Sequence, residues 1–153
     1  MTMNALTSIN NFLPLSDQIA TAGQPTETQF ETIAKQGYQV VINLALPTSD
    51  HALPDEQETV ESQGMDYINI PVIWEQPTIA NLQRFFQVMD VNQTSKVFVH
   101  CAANKRVSAF MYLYRRLKGG ADEATAQRDL NRIWQPNAIW QRFIQQAMAH
   151  HQP

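Results

Sequence analysis

The chain has 153 residues, 44% of them hydrophobic, which suits one core of ordinary size and is too little for two. A net charge of −3 leaves no footprint for nucleic acid, and a single cysteine excludes an internal disulfide, paired-cysteine zinc sites and dithiol redox motifs. With no basic leader before Leu6 and no run of about 18 apolar residues, neither export nor membrane insertion is expected, and the chain reads as one cytoplasmic domain over 1–153.

Apolar strands alternate with amphipathic helices, the pattern of an α/β domain with a mainly parallel, four- to five-stranded sheet flanked by helices. Gln18 to Ala22 reads as the first strand, and Thr26 to Gln36 as a helix with Phe30 and Ile33 on one face, ended by Gly37. Val40 to Leu44 is a buried strand by its branched content. Pro47 to Pro54 is a loop, Asp55 to Gln63 a short helix stopped by Gly64, and Tyr67 to Ile70 the next strand. Pro77 and Thr78 start a helix to Met89 whose Leu82, Phe85, Phe86 and Met89 fall at helical spacing, as core residues do. A strand over Val97 to Val99 precedes a helix from Val107 to Leu117 that is apolar nearly all round, the mark of a central helix. Two further helices, Asp122 to Ile133 and Asn137 to His150, are expected to cover one face of the sheet.

Between the strand at Val97 and the central helix lies the run His100-Cys101-Ala102-Ala103-Asn104-Lys105-Arg106-Val107-Ser108. A helix starting near Arg106 or Val107 turns its unpaired N–H groups and the positive end of its dipole onto the loop that begins at Cys101. Both favour negative charge. A free thiol of pKa about 8.5 falls to roughly 3.5–7.5 beside a helix N-terminus and a cation, so Cys101 is expected to be a thiolate at neutral pH. Arg106 supplies a planar donor fork that matches two phosphate oxygens, a geometry lysine lacks. A lone buried cysteine is otherwise a small hydrophobe. Here a nucleophile, a turn and a cation occur together.

These residues resemble the signature of the cysteine-dependent protein phosphatases, a His-Cys pair, a short loop and an arginine opening a helix. The family pattern places five residues between cysteine and arginine, a glycine third after the cysteine, and Ser or Thr after the arginine. Here only Ala102, Ala103, Asn104 and Lys105 intervene, Asn104 stands at the glycine position, and Val107 precedes Ser108. Asparagine is the best non-glycine residue for left-handed backbone. The segments from Ile19 to Thr26, Gly37 to Leu44 and Ile70 to Thr78 narrow the likeness to a bacterial phosphatase-like family also found fused to β-lactamase-like hydrolase domains. That resemblance spans Ile19 to Lys118 and implies a dual-specificity-like architecture, with a phosphate-binding loop of Ala102, Ala103, Asn104, Lys105 and Val107.

Cleavage of a phosphomonoester by a thiolate needs a proton donor for the leaving oxygen. The resemblance puts Glu75, in the loop after Ile70, where related phosphatases carry a catalytic aspartate; Asp66 and Asp55 are alternatives. It also gives supporting roles to His100, which tunes thiolate and loop, and to Ser108, which donates to the departing thiolate. Trp74 either stacks on substrate or anchors its loop by packing, and Trp134 and Trp140 read as contacts between the last two helices. Gln24 and Asn43 lie near strand ends, where turn hydrogen bonding explains them equally well. Arg115, Arg116 and Lys118 read as a solvated helix end.

The expectation is a phosphatase acting through a thiophosphate on a phosphorylated protein or small molecule. No metal or other cofactor, no nucleic acid and no membrane is expected to take part, and oligomeric state is not legible. Two alternatives stay open: a rhodanese-like sulfurtransferase, whose persulfide loop is similarly short, and a catalytically weak phosphate-binding module.

Overall fold

The computed structural model describes residues 6–151; the expectation of no leader over residues 1–5 lies outside the described residues. Strands β1 (Leu13–Pro14), β2 (Ile19–Ala22), β3 (Val40–Asn43), β4 (Asp66–Asn69) and β5 (Val97–His100) form a sheet in the order β1-β2-β5-β3-β4. All are parallel except β1, antiparallel to β2 at the edge. The helices are α1 (Glu27–Lys35), α2 (Glu56–Ser62), α3 (Ile79–Val91), α4 (Lys105–Leu117), α5 (Glu123–Ile133) and α6 (Ala138–His151).

The chain thus adopts the expected mainly parallel α/β architecture. Strand β1 was not legible, because two residues carry no periodicity and its proline fits a strand only at an edge.

Strands β3 and β5 are buried at every position, since helices cover both faces. Alternation divides their side chains. Val40, Ile42, Val97 and Val99 face α3 and α4, where they join Leu82, Phe85 and Phe110. Val41 and Phe98 point the other way, onto Phe30 and Ile33 of α1 and Val60 of α2. Thr26 caps α1 through a reciprocal capping box with Gln29, and Gly37, at φ 92°, takes the left-handed turn that ends it.

Helix α4 starts at Lys105, ahead of the expected Arg106 or Val107, and is buried from Arg106 to Leu113. Helices α5 and α6 were expected to cover one face of the sheet. They pack instead against α4, which lies between them and the strands. Arg115 pairs with Asp129 at 2.6 Å and Arg116 with Glu123, so the basic end of α4 is tied to α5 by ion pairs and is not simply a solvated helix end. No helix among the described residues is long and apolar enough to cross a membrane.

Candidate active site

Strands β2, β5, β3 and β4 end in register at Ala22, His100, Asn43 and Asn69. The loops that follow therefore gather along one edge of the sheet. Because β5 is inserted between β2 and β3, the chain diverges there, and such points in open parallel sheets form ligand crevices.

The loop after β5 is held from outside. Cys101 N–H donates to the Ala22 carbonyl at 3.3 Å, and the Ala102 carbonyl accepts from Gln24 N–H at 3.0 Å. Asn11 Nδ2 donates to the Ala103 carbonyl at 2.9 Å. Asn104 adopts the expected left-handed conformation, φ 65° and ψ 2°, and is fully buried. Its Nδ2 donates to Asn11 O at 2.9 Å and Thr21 Oγ1 at 3.0 Å, while its Oδ1 has no partner among the described residues. The asparagine thus anchors the loop to β2 as well as turning it.

Asn104 is the N-cap of α4 but gives it no side-chain cap. Ser108 N–H is the first to bond inside the helix, to the Asn104 carbonyl at 2.8 Å. The N–H groups of Lys105, Arg106 and Val107 therefore lack helical partners. Cys101 and this helix start open on a cleft of about 420 Å³. Cys101, Ala102, Ala103, Lys105 and Arg106 form one wall, Thr48, Ser49 and Asp50 of the β3–α2 loop another, and Trp74 and Glu75 of the β4–α3 loop a third.

Cys101 is only 1% exposed and sits on the cleft floor. Arg106 is also buried; its Nη1 donates to the Val72 carbonyl at 2.9 Å, which clamps the cysteine loop to the loop carrying Trp74 and Glu75. Glu75 is exposed at the rim. Trp74 packs among the later tryptophans. It lines the cleft, and its ring lies 5.3 Å from that of Trp134 and 5.9 Å from that of Trp140. Trp140 Nε1 also donates to the Trp74 carbonyl at 2.9 Å, so the two later tryptophans hold this loop in addition to meeting each other. Lys105 Nζ sits 5.6 Å from the centre of the Trp134 ring.

Three expectations do not match this geometry. Asp66 begins β4, at the far end of the sheet from the cleft. Asp55 stands at the start of α2 and faces neighbouring hollows that exclude Cys101. Ser108 does not line the cleft, and its one hydroxyl proton is given to the Lys105 carbonyl at 2.8 Å while its oxygen accepts from Trp134 Nε1 at 3.0 Å. Its spacing of seven from Cys101 equals that of the family pattern, so the one-residue shift falls on Arg106 and not on Ser108. Val107 itself is wholly buried in the core, so only its backbone is available to the loop.

Beneath the cysteine lies a polar network of which sequence reasoning named His100, Gln24 and Asn43 but missed Glu56 and Tyr67. His100 is fully buried; its Nε2 is 2.6 Å from Glu56 Oε2 and its Nδ1 is 3.3 Å from the Cys101 carbonyl. Gln24 Nε2 donates to Glu56 Oε1 at 2.7 Å, Tyr67 hydrogen-bonds the same carboxylate, and Asn43 Nδ2 donates to the Tyr67 hydroxyl at 3.0 Å. Burial pushes the Glu56 carboxyl up, but the hydrogen bond and charge of His100, with Gln24 and Tyr67, outweigh it and hold it below the usual range. Burial and the Glu56 charge push Tyr67 up to about 12. The signal for Glu56 was its spacing of four from buried Val60, which sets it on the inner face of α2. Asp50 was missed because nothing in a loop sequence shows which way it folds back.

This strand order, with a cysteine loop leading into a buried helix, defines a dual-specificity or tyrosine phosphatase fold. The catalytic domain of the S. cerevisiae PP-IP phosphatase SIW14 superposes with a TM-score of 0.74 over 90% of this chain and 85% of its own, at 14% identity, a likeness of fold alone. A Shewanella putrefaciens CN-32 protein of the DUF442 phosphatase group is similar over 99% of both chains, with a TM-score of 0.87 and 35% identity. A Xylella fastidiosa β-lactamase hydrolase-like protein is 30% identical over 95 residues, 60% of this chain but only 22% of that protein. Residues 6–147 match the family described as DSP-PTPase phosphatase fused to NAD+ kinase, and the chain belongs to this family of phosphatase hydrolases.

Proposed function

We propose that the protein hydrolyses phosphomonoesters through a covalent thiophosphate on Cys101. The reading is carried by the convergence of Cys101, Arg106 and Glu75, from two separate loops, on one cleft at the start of α4. The Cys101 thiolate attacks phosphorus, the P–O ester bond breaks, and Glu75 protonates the leaving oxygen. Water then attacks phosphorus, Glu75 takes its proton, the S–P bond breaks and the sulfur leaves as thiolate. Arg106 and the N–H groups of the loop and helix start hold the phosphoryl oxygens throughout.

Phosphorylated substrates suit this cleft. Among the structural neighbours, the Pseudomonas aeruginosa protein TpbA is described in complex with phosphotyrosine and the yeast neighbour as a PP-IP phosphatase. A free thiol nucleophile also suits a reducing compartment such as the cytoplasm.

The test is a pH series on a small aryl phosphate with the wild type, Cys101→Ser, Arg106→Lys and Glu75→Gln. Phosphate release by the wild type and its loss in folded Cys101→Ser is the expected result. Equal turnover by the serine variant overturns the reading, and thiocyanate release from thiosulfate and cyanide in place of phosphate release assigns the cysteine to sulfur transfer instead.

A further inference from the structure

His100 ends β5 immediately before Cys101 and has no solvent exposure. Both of its ring nitrogens face oxygen. Nδ1 is 3.3 Å from the Cys101 carbonyl, and a carbonyl only accepts, so Nδ1 carries a proton. Nε2 is 2.6 Å from Glu56 Oε2, and an ionised carboxylate also only accepts, so against an ionised Glu56 the Nε2 atom holds the second.

The surroundings of Glu56 favour its ionised form. Gln24 Nε2, which can only donate, is 2.7 Å from Oε1, and the Tyr67 hydroxyl supplies a further hydrogen bond. Tyr67 comes from β4 and keeps its proton to about pH 12. The edge of Phe30 from α1 also meets the imidazole, with ring centres 5.8 Å apart. Glu56, from α2, is the one charged side chain hydrogen-bonded to the ring among the described residues.

We propose that Glu56 is a positioning residue for the cysteine loop: it holds His100 as a doubly protonated imidazolium, and the imidazolium polarises the Cys101–Ala102 peptide and stabilises negative charge on the sulfur. The ring stands between the carboxylate and the cysteine, so its positive end meets the loop and its counter-charge lies behind it. A cation donating to the Cys101 carbonyl makes the Ala102 N–H a stronger donor. Without Glu56 the buried ring keeps one proton, because an unpaired charge in that position is costly, and the positive charge beneath the loop is gone. The proposal rests on Cys101 as the nucleophile, but its tests require no turnover.

The first test is nitrogen NMR of the full chain labelled with ¹⁵N-histidine at pH 7.5. His51, His150 and His151 are assigned by surface His→Gln variants, which leaves His100. Two protonated ring nitrogens on His100 are expected, and a single neutral tautomer overturns the proposal. The second is the pH dependence of iodoacetamide alkylation, unambiguous with a single cysteine. In folded Glu56→Gln the midpoint of thiol ionisation is expected to rise by about one pH unit or more, a tenfold loss of thiolate at fixed pH, and in Glu56→Asp to return toward the wild type. An unchanged or lowered midpoint in folded Glu56→Gln overturns it. Should that variant fail to fold, the wild-type NMR signature alone decides.

Discussion

The guanidinium of Arg106 is anchored at Nη1 by the Val72 carbonyl, which leaves its other donors for the cleft. A lysine keeps the charge but cannot hold that carbonyl and grip two phosphate oxygens at once. Arg106→Lys is expected to lower kcat/KM on an aryl phosphate by about 10²–10³, the effect of losing one preorganised anion donor, with little change in urea-unfolding midpoint. Gly23 sets a second constraint. A Cβ there comes within 2.7 Å of both the Ala102 carbonyl oxygen and Asn10 Nδ2, and one of these contacts is rigid backbone. Gly23→Ala is therefore expected to displace the cysteine loop, slowing both turnover and alkylation of Cys101 without unfolding the chain.

At the scale of elements, caps and short loops decide geometry. Thr26 supplies the cap of α1, and the turn before that helix carries Gln24, which supports both the Ala102 carbonyl and Glu56. Thr26→Ala is expected to cost about 1 kcal/mol of stability in urea denaturation. The strands and helices were largely legible, because β3 and β5 are short branched runs and α3 repeats its apolar residues at helical spacing. Legibility ended where long-range packing chose the outcome. The early start of α4 depends on the left-handed turn at Asn104, itself held by Thr21 and Asn11, 83 and 93 positions earlier in the chain.

Over the whole molecule, ionisation couples the buried network to stability. Glu56 in the folded state ionises at lower pH than in the unfolded chain, so its contribution is present above the unfolded carboxylate range near pH 4.3 and is lost as pH falls through its depressed folded value. Tyr67 behaves oppositely: its contribution is complete below the ordinary tyrosine range near pH 10 and is lost as pH rises toward about 12. Thermal unfolding across pH is expected to show both limbs, with Glu56→Gln flattening the acid limb and Tyr67→Phe the alkaline one. The other long-range constraint is aromatic. Trp140 is fully buried against Phe110 and Phe143 while its indole N–H holds the Trp74 carbonyl. Trp140→Ala is expected to cost about 3–5 kcal/mol and to loosen the Glu75 loop, read as a raised KM for aryl phosphate.

Alternating apolar runs, helix start and stop residues and a cysteine set between a strand and a helix are local patterns, so residue order alone was enough for the α/β class and the place of the cysteine loop. Which carboxylates share the cleft with Cys101, and which lies beneath it, emerged from long-range packing. Asp50 and Glu75 stand in the cleft and Glu56 beneath it because of how separate loops and helices fold onto β5. Charge and spacing along a chain carry no information about direction in space, and burial beside His100 is created only when α2 packs on the sheet.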